Sequence, residues 1–160
     1  MKQLLLLFSV LLFMYSILAH ENSAVNLKPF ELGSFEEIVN AKNERDHLVI
    51  LWSLDCPPCM KELERVSELH QQYPEYQLTL INTDSTDEQK QVKKILQQYN
   101  LMQLDHWGFN NTDEEKLRYD IDPRWFGDLP RSYFFPLQGK IKRLRGVLTS
   151  AELLELFQPR

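Results

Sequence analysis

Cysteine is scarce in this sequence: two residues in 160, Cys56 and Cys59, both inside the stretch WSLDCPPCM at 52–60. With a single pair, the four-ligand set of a structural zinc site is missing. His20, His47, His70 and His106 stand at no ligand spacing to the pair or to one another. A long basic tract is also lacking. Lys and Arg number 18 against 23 acids, for a net charge of −5, which argues against nucleic acid as a partner. Neither internal repeats nor low-complexity segments occur after the N-terminus. What remains is the composition of an ordinary globular domain, 43% hydrophobic and 26% charged, in a chain long enough for one core.

The N-terminus differs from the rest. MKQLLLLFSVLLFMYSILA has Lys2, then an apolar run from Leu4 to Ala19 broken only by Ser9, Tyr15 and Ser16. A positive start, an apolar middle and a small residue at Ala19 form a secretory signal pattern. The run is short for a spanning helix, which needs roughly 20 apolar residues. Two readings stand: residues 1–19 are cleaved, or they remain as an N-terminal membrane anchor. Both put the body of the protein outside the cytoplasm, where a disulfide can persist. Residues 20–29 are expected to be a linker and 30–160 one domain.

Periodicity then alternates. SFEEIVNA at 34–41 predicts a helix with a Ser34–Glu37 capping box. HLVILW at 47–52 predicts a strand buried on both faces. Met60, Leu63, Val66, Leu69 and Tyr73 recur at helical spacing up to Pro74. YQLTLI at 76–81 reads as a strand. Ser85 opens a helix striped by Val92, Ile95, Leu96 and Tyr99. Leu104–Phe109 reads as a short strand, and Thr112 with Glu115 starts a short helix carrying Leu117. SYFFPL, the QGK turn and KIKRLRGV predict a hairpin whose second strand carries edge-type charges. Thr149 and Glu152 cap a last helix. Strands alternating with helices imply an α/β domain: a mixed, mostly parallel central sheet with helices on both faces, ending in a C-terminal β-hairpin plus helix.

Cys56 falls at the end of the first strand, before a helix N-terminus. Free backbone N–H groups and the helix dipole there lower a thiol pKa. Cys59 lies one turn inside. In this reading Cys56 attacks a disulfide and Cys59 resolves the mixed disulfide. Pro57 and Pro58 suit the first turn, where a missing N–H costs nothing, and stiffen the ring. As a structural staple the pair is poor, because so short a loop removes little chain entropy.

LVILWSLDCPPCMKEL, LPRSYFFPLQGKI and Gly146 before a final helix resemble the thioredoxin superfamily, specifically its exported TlpA/ResA-like thiol-disulfide oxidoreductases. The likeness spans most of residues 30–157. It implies a thioredoxin-like fold for 30–160 and a cis bond between Leu129 and Pro130 facing the cysteine pair, with the backbone before Pro130 pairing with a substrate chain. The sequence departs from the pattern in three places. Asp55 stands where an aromatic residue is common, Arg131 where threonine often follows the proline, and Ile50 where thioredoxin keeps a buried acid that takes the resolving thiol's proton. Two readings of Asp55 and Arg131 stand: an electrostatic couple tuning Cys56, or two solvated surface charges of little consequence. Trp125 and Phe126 form an apolar shelf for a partner, or pin their loop to the core.

The resemblance implies dithiol–disulfide exchange with a protein partner carrying disulfides or thiols, in the reducing direction. It implies a bacterial envelope location, soluble in the periplasm or tethered by the N-terminus, with an upstream membrane thiol donor as a possible second partner. No metal or organic cofactor is expected beyond the redox-active Cys56–Cys59 disulfide. Contact with a membrane is expected only through an uncleaved N-terminal segment. The rival readings are a non-catalytic binding or chaperone module of the same fold, and a copper-delivery protein using the cysteine pair.

Overall fold

The computed structural model describes residues 27–41, 45–110 and 113–158. The expected signal or anchor at 1–19, most of the expected linker, and Thr112 lie outside the described residues. Among those described, no helix is long and apolar enough to cross a membrane.

The chain runs β1 (Lys28–Phe30), α1 (Ser34–Asn40), β2 (His47–Trp52), α2 (Pro57–Gln72), β3 (Gln77–Asn82), a 3-10 turn (Thr86–Glu88) and α3 (Gln89–Gln98). It continues with β4 (Asp105–Phe109), α4 (Glu114–Ile121), β5 (Arg131–Phe135), β6 (Lys142–Arg145) and α5 (Ser150–Phe157). The strands form one sheet in the order β1-β4-β3-β2-β5-β6. β1, β4, β3 and β2 pair in parallel; β5 runs antiparallel to both β2 and β6. The α/β architecture expected from the sequence, with its terminal hairpin and helix, is therefore present.

Every residue of β2 is buried, because strand neighbours flank it on both sides and helices cover both faces. Leu48, Ile50 and Trp52 pack with Leu63, Val66 and Leu69 of α2, Val92 and Leu96 of α3, and Leu153, Leu156 and Phe157 of α5. Val49 and Leu51 face the other way, onto Ile38 of α1, Leu117 and Ile121 of α4, and Tyr133 and Phe135 of β5. Trp52 is thus a scaffold residue.

Three local expectations are corrected. β1 lies partly within the expected linker; it is a three-residue edge strand on β4, where Pro29 is tolerated because one side of an edge needs no ladder bond. No Ser34–Glu37 capping box forms. Gly33, at φ 89°, takes the cap position of α1 in a left-handed conformation that glycine adopts without strain, while the Ser34 hydroxyl accepts from the Glu31 N–H. The helix expected from Ser85 begins as a 3-10 turn, with no side-chain cap on Ser85. At α4 the Asp113 carboxylate is the cap, accepting from the Glu115 N–H at 3.2 Å.

Thr149 does form its capping box with Glu152, both reciprocal bonds being present. Thr149→Ala is expected to lower stability by about 1 kcal/mol, read as a lower urea midpoint at unchanged slope. An unmoved midpoint would show that packing of Leu153, Leu156 and Phe157 fixes this helix without its cap.

Candidate active site

Cys56 caps α2 and Cys59 lies in its first turn, joined by a disulfide of 2.08 Å. Pro57 and Pro58 occupy the first two helical positions, both exposed, where no intrahelical bond is lost. The Cys59 N–H donates to the Cys56 sulfur at 3.2 Å. A helix-terminal N–H aimed at this sulfur, together with the positive end of the helix dipole, favours a thiolate there once the bond is reduced. The two sulfurs are not equivalent in access. Cys56 retains 8% exposure and Cys59 none.

The segment between β2 and Cys56 is held from the turn that follows β3. The Asp84 carboxylate accepts from the Ser53 hydroxyl at 2.8 Å, the Leu54 N–H at 2.7 Å and the Asn82 amide at 2.6 Å. Thr83 adds a backbone bond to the Trp52 carbonyl at 2.9 Å. These bonds make the approach to Cys56 a fixed turn. Asp55, next in line, is exposed, with its N–H donated to the Ser53 hydroxyl.

The second side of the site comes from the chain before β5. The Leu129–Pro130 bond is cis. β5 pairs with β2 so that Arg131 lies opposite Leu51, which sets Pro130 beside the end of β2, just before the Cys56 turn. Leu129 is half-buried and packs against the cluster that contains Cys56 and Cys59. Trp125 and Phe126, adjacent in sequence, part company. Trp125 is 4% exposed, and its indole N–H donates to the Asp128 carbonyl, so it pins the loop; Phe126 is 87% exposed. The shelf expected from both residues is reduced to Phe126.

Arg131 does not meet Asp55. It is buried, paired with Asp122 at 3.7 Å and Asp128 at 3.6 Å, and its guanidinium lies over the Tyr133 ring. The antiparallel register explains this. Arg131 shares the sheet face of Leu51, Tyr133 and α4, and Asp122 ends α4 on that face. Burial pushes the Asp122 carboxyl up, but the Arg124 N–H and the Arg143 and Arg124 side chains outweigh it and hold its pKa below the ordinary value. Arg131 is therefore not a solvated surface charge either. It ties the 122–130 loop to the sheet.

Glu62 is the functional candidate that the sequence did not single out. It follows Cys59 by three residues on α2, and at this spacing the two share a helix face. Both are fully buried. One Glu62 carboxyl oxygen accepts from the Leu148 N–H at 2.7 Å; the other is buried with no partner. Burial raises its pKa from 4.5 to about 7, against the lowering effect of the Leu148 bond and of Arg65. The available signal was the spacing itself, an acid one turn beyond the second cysteine. Among the described residues no cluster of three or more His, Cys, Asp or Glu side chains could hold a metal ion.

No protein-family model matches the chain, and no curated protein matches it in sequence. Solved structures do. A thiol:disulfide interchange protein of the thioredoxin family from Chlorobium tepidum superimposes with a TM-score of 0.58 at 14% identity, over 74% of this chain and 81% of that one. StoA from Bacillus subtilis gives 0.54 at 20% identity, over 72% and 84%. A secreted disulfide oxidoreductase of Mycobacterium tuberculosis, homologous to E. coli DsbE, gives 0.55 at 16%, over 71% and 81%. Taken with the sheet order, the cis proline and the strand–Cys–helix junction, these likenesses establish that the chain has the thioredoxin-like fold.

Proposed function

We propose that this chain is a TlpA/ResA-like thiol-disulfide oxidoreductase of the bacterial envelope that reduces disulfides of partner proteins. The observation that carries the reading is the asymmetry of the pair: a Cys56 on a helix N-terminus that keeps 8% exposure, a Cys59 that keeps none, and a buried carboxyl one turn further on. Two of the structural neighbours named above are themselves described as a disulfide oxidoreductase and a thiol:disulfide interchange protein.

In the reduced chain the Cys56 thiolate attacks one sulfur of the partner's disulfide. That bond breaks, a Cys56–partner disulfide forms, and the partner's other sulfur leaves as a thiolate. The Cys59 thiol passes its proton to the ionised Glu62 carboxylate and attacks the Cys56 sulfur. The partner's second sulfur leaves, and the Cys56–Cys59 bond closes. Two electrons have passed to the partner. Two more, from an upstream thiol donor at the membrane, restore the dithiol. Nothing in this exchange calls for a metal or organic cofactor. Export is supported by the pattern of residues 1–19, as cleaved signal or retained anchor.

Cys59→Ala tests the reading. Expressed in an oxidising envelope, the folded variant is expected to accumulate a disulfide-linked adduct through Cys56, identified by mass spectrometry after non-reducing separation. A folded variant that carries no adduct would overturn the enzyme reading.

A further inference from the structure

We propose that the arginine-rich sheet edge next to the cis-proline loop, carrying Arg124, Arg143 and Arg145 together with the protruding Phe126, docks an acidic extended segment of the partner protein. The inference rests on the exchange reading above and names the chemistry of the partner it serves.

Four arginines gather where the 122–130 loop meets β5 and β6. Arg131 lies opposite Arg145 across the two strands, and Tyr133 opposite Arg143, so their side chains share one sheet face. Among the described residues two carboxylates pair with them. Asp122 pairs with Arg124, Arg131 and Arg143, and Asp128 with Arg131 and Arg145. Two positive charges are left over, on a chain whose net charge is −5. Arg131 is buried and has a structural role already. The surplus falls on Arg124 and Arg145, whose side chains are 70% and 64% exposed.

Phe126, 87% exposed, lies in the same loop, two residues from Arg124 on one side and from Asp128 on the other. Its loop is braced on either side of the ring. The Trp125 indole anchors it, and Gly127, at φ 91°, packs against the Arg118 side chain at 3.5 Å from where a Cβ would stand. A large apolar ring held out into water on a braced loop, beside surplus charge of one sign, has the anatomy of an interface: an apolar anchor with a charged rim. β6 is an edge strand, so an extended segment has unpaired backbone groups to follow. The Cys56 side of the site carries the opposite charge, with exposed Asp55 and half-buried Asp84. The partner's acids must therefore lie toward β6, away from its reacting sulfur. This contrast orients the bound segment as well as attracting it.

The test compares two peptide disulfides of equal length, each with one phenylalanine, one flanked by glutamates and one by lysines. Their kcat/KM values with the reduced full chain are divided by that for bis(2-hydroxyethyl) disulfide, which is neutral. The glutamate peptide is expected to be favoured about tenfold at low ionic strength, with the preference fading at high salt. Arg124→Glu/Arg145→Glu is expected to reverse the preference, and Phe126→Ser to weaken both peptides. Equal rates for the two peptides, or a preference that survives the charge reversal, would overturn the inference. Should the reduced chain leave bis(2-hydroxyethyl) disulfide intact, the exchange reading fails separately. Docking is then decided by titrating the oxidised chain, under NMR, with the same peptides carrying serine for cysteine. Salt-sensitive binding of the glutamate peptide supports the surface, and indifference to peptide charge removes it.

Discussion

Cys56→Ser is expected to reduce insulin disulfides at least about a thousandfold more slowly than the parent chain, equivalent to about 4 kcal/mol of barrier. The reason is chemical. Exchange needs a thiolate, and a serine hydroxyl does not ionise near neutral pH even at a helix N-terminus. The Cys59→Ser variant should behave differently. Its first step survives, because the Cys56 sulfur at the helix N-terminus is still present, so it should consume one equivalent of disulfide and stop as a mixed disulfide. The pair of variants therefore assigns the roles. Single-turnover reactions followed by non-reducing mass spectrometry supply the measurement. A Cys56→Ser variant that still forms adducts while Cys59→Ser does not would reverse the assignment.

Glu62→Gln is expected to remove a pH dependence that the parent chain carries. In the oxidised parent the carboxyl titrates at about 7, against an ordinary 4.5. Between these values the native chain keeps a proton that the unfolded chain has lost, so unfolding free energy falls as pH rises. The contribution is fully present below 4.5 and gone once pH has passed through 7. The loss amounts to about 3.5 kcal/mol, from some 2.5 pH units at about 1.4 kcal/mol each. Glutamine can still accept from the Leu148 N–H, but it does not ionise. Urea titrations of both oxidised proteins at pH 4 and pH 8 should show their stability difference moving by that amount toward the variant. A difference that stays constant would mean Glu62 titrates as an exposed acid. The same variant should resolve the Cys56 mixed disulfide about a hundredfold more slowly near neutral pH, since the base for Cys59 is missing. Stopped-flow decay of a preformed mixed disulfide measures that step.

What the sequence disclosed is what is local. The strand–Cys–Pro–Pro–Cys–helix junction, the alternation of elements and the Thr149 cap are each written in a few adjacent residues, and all appear in the structure. The cis Leu129–Pro130 bond was implied by the family pattern and is present. What stayed hidden depends on distant partners. Glu62 is one of several acids on α2, and only its bond to Leu148, 86 residues away, marks it as buried. The partners of Arg131 follow from the β2–β5 register and the place where α4 ends, neither of which is visible at position 131. The turn that aims Cys56 is braced by Asp84, about thirty residues on, through a β2–β3 pairing that no short-range pattern reveals. β1 was missed because three residues with a proline carry almost no periodic signal, and its partner β4 lies far along the chain.

The sheet order also sets where this protein can be held. β1 and β6 are its two margins, separated by five strand spacings of about 4.8 Å, or roughly 24 Å. The described chain enters the fold at Leu27, on the β1 margin, while the arginines and Phe126 gather at the β6 margin. Whatever precedes Leu27 therefore joins the domain on the side away from the surface assigned to the partner. A fusion or surface attachment made on that side should leave the β6 margin turned outward.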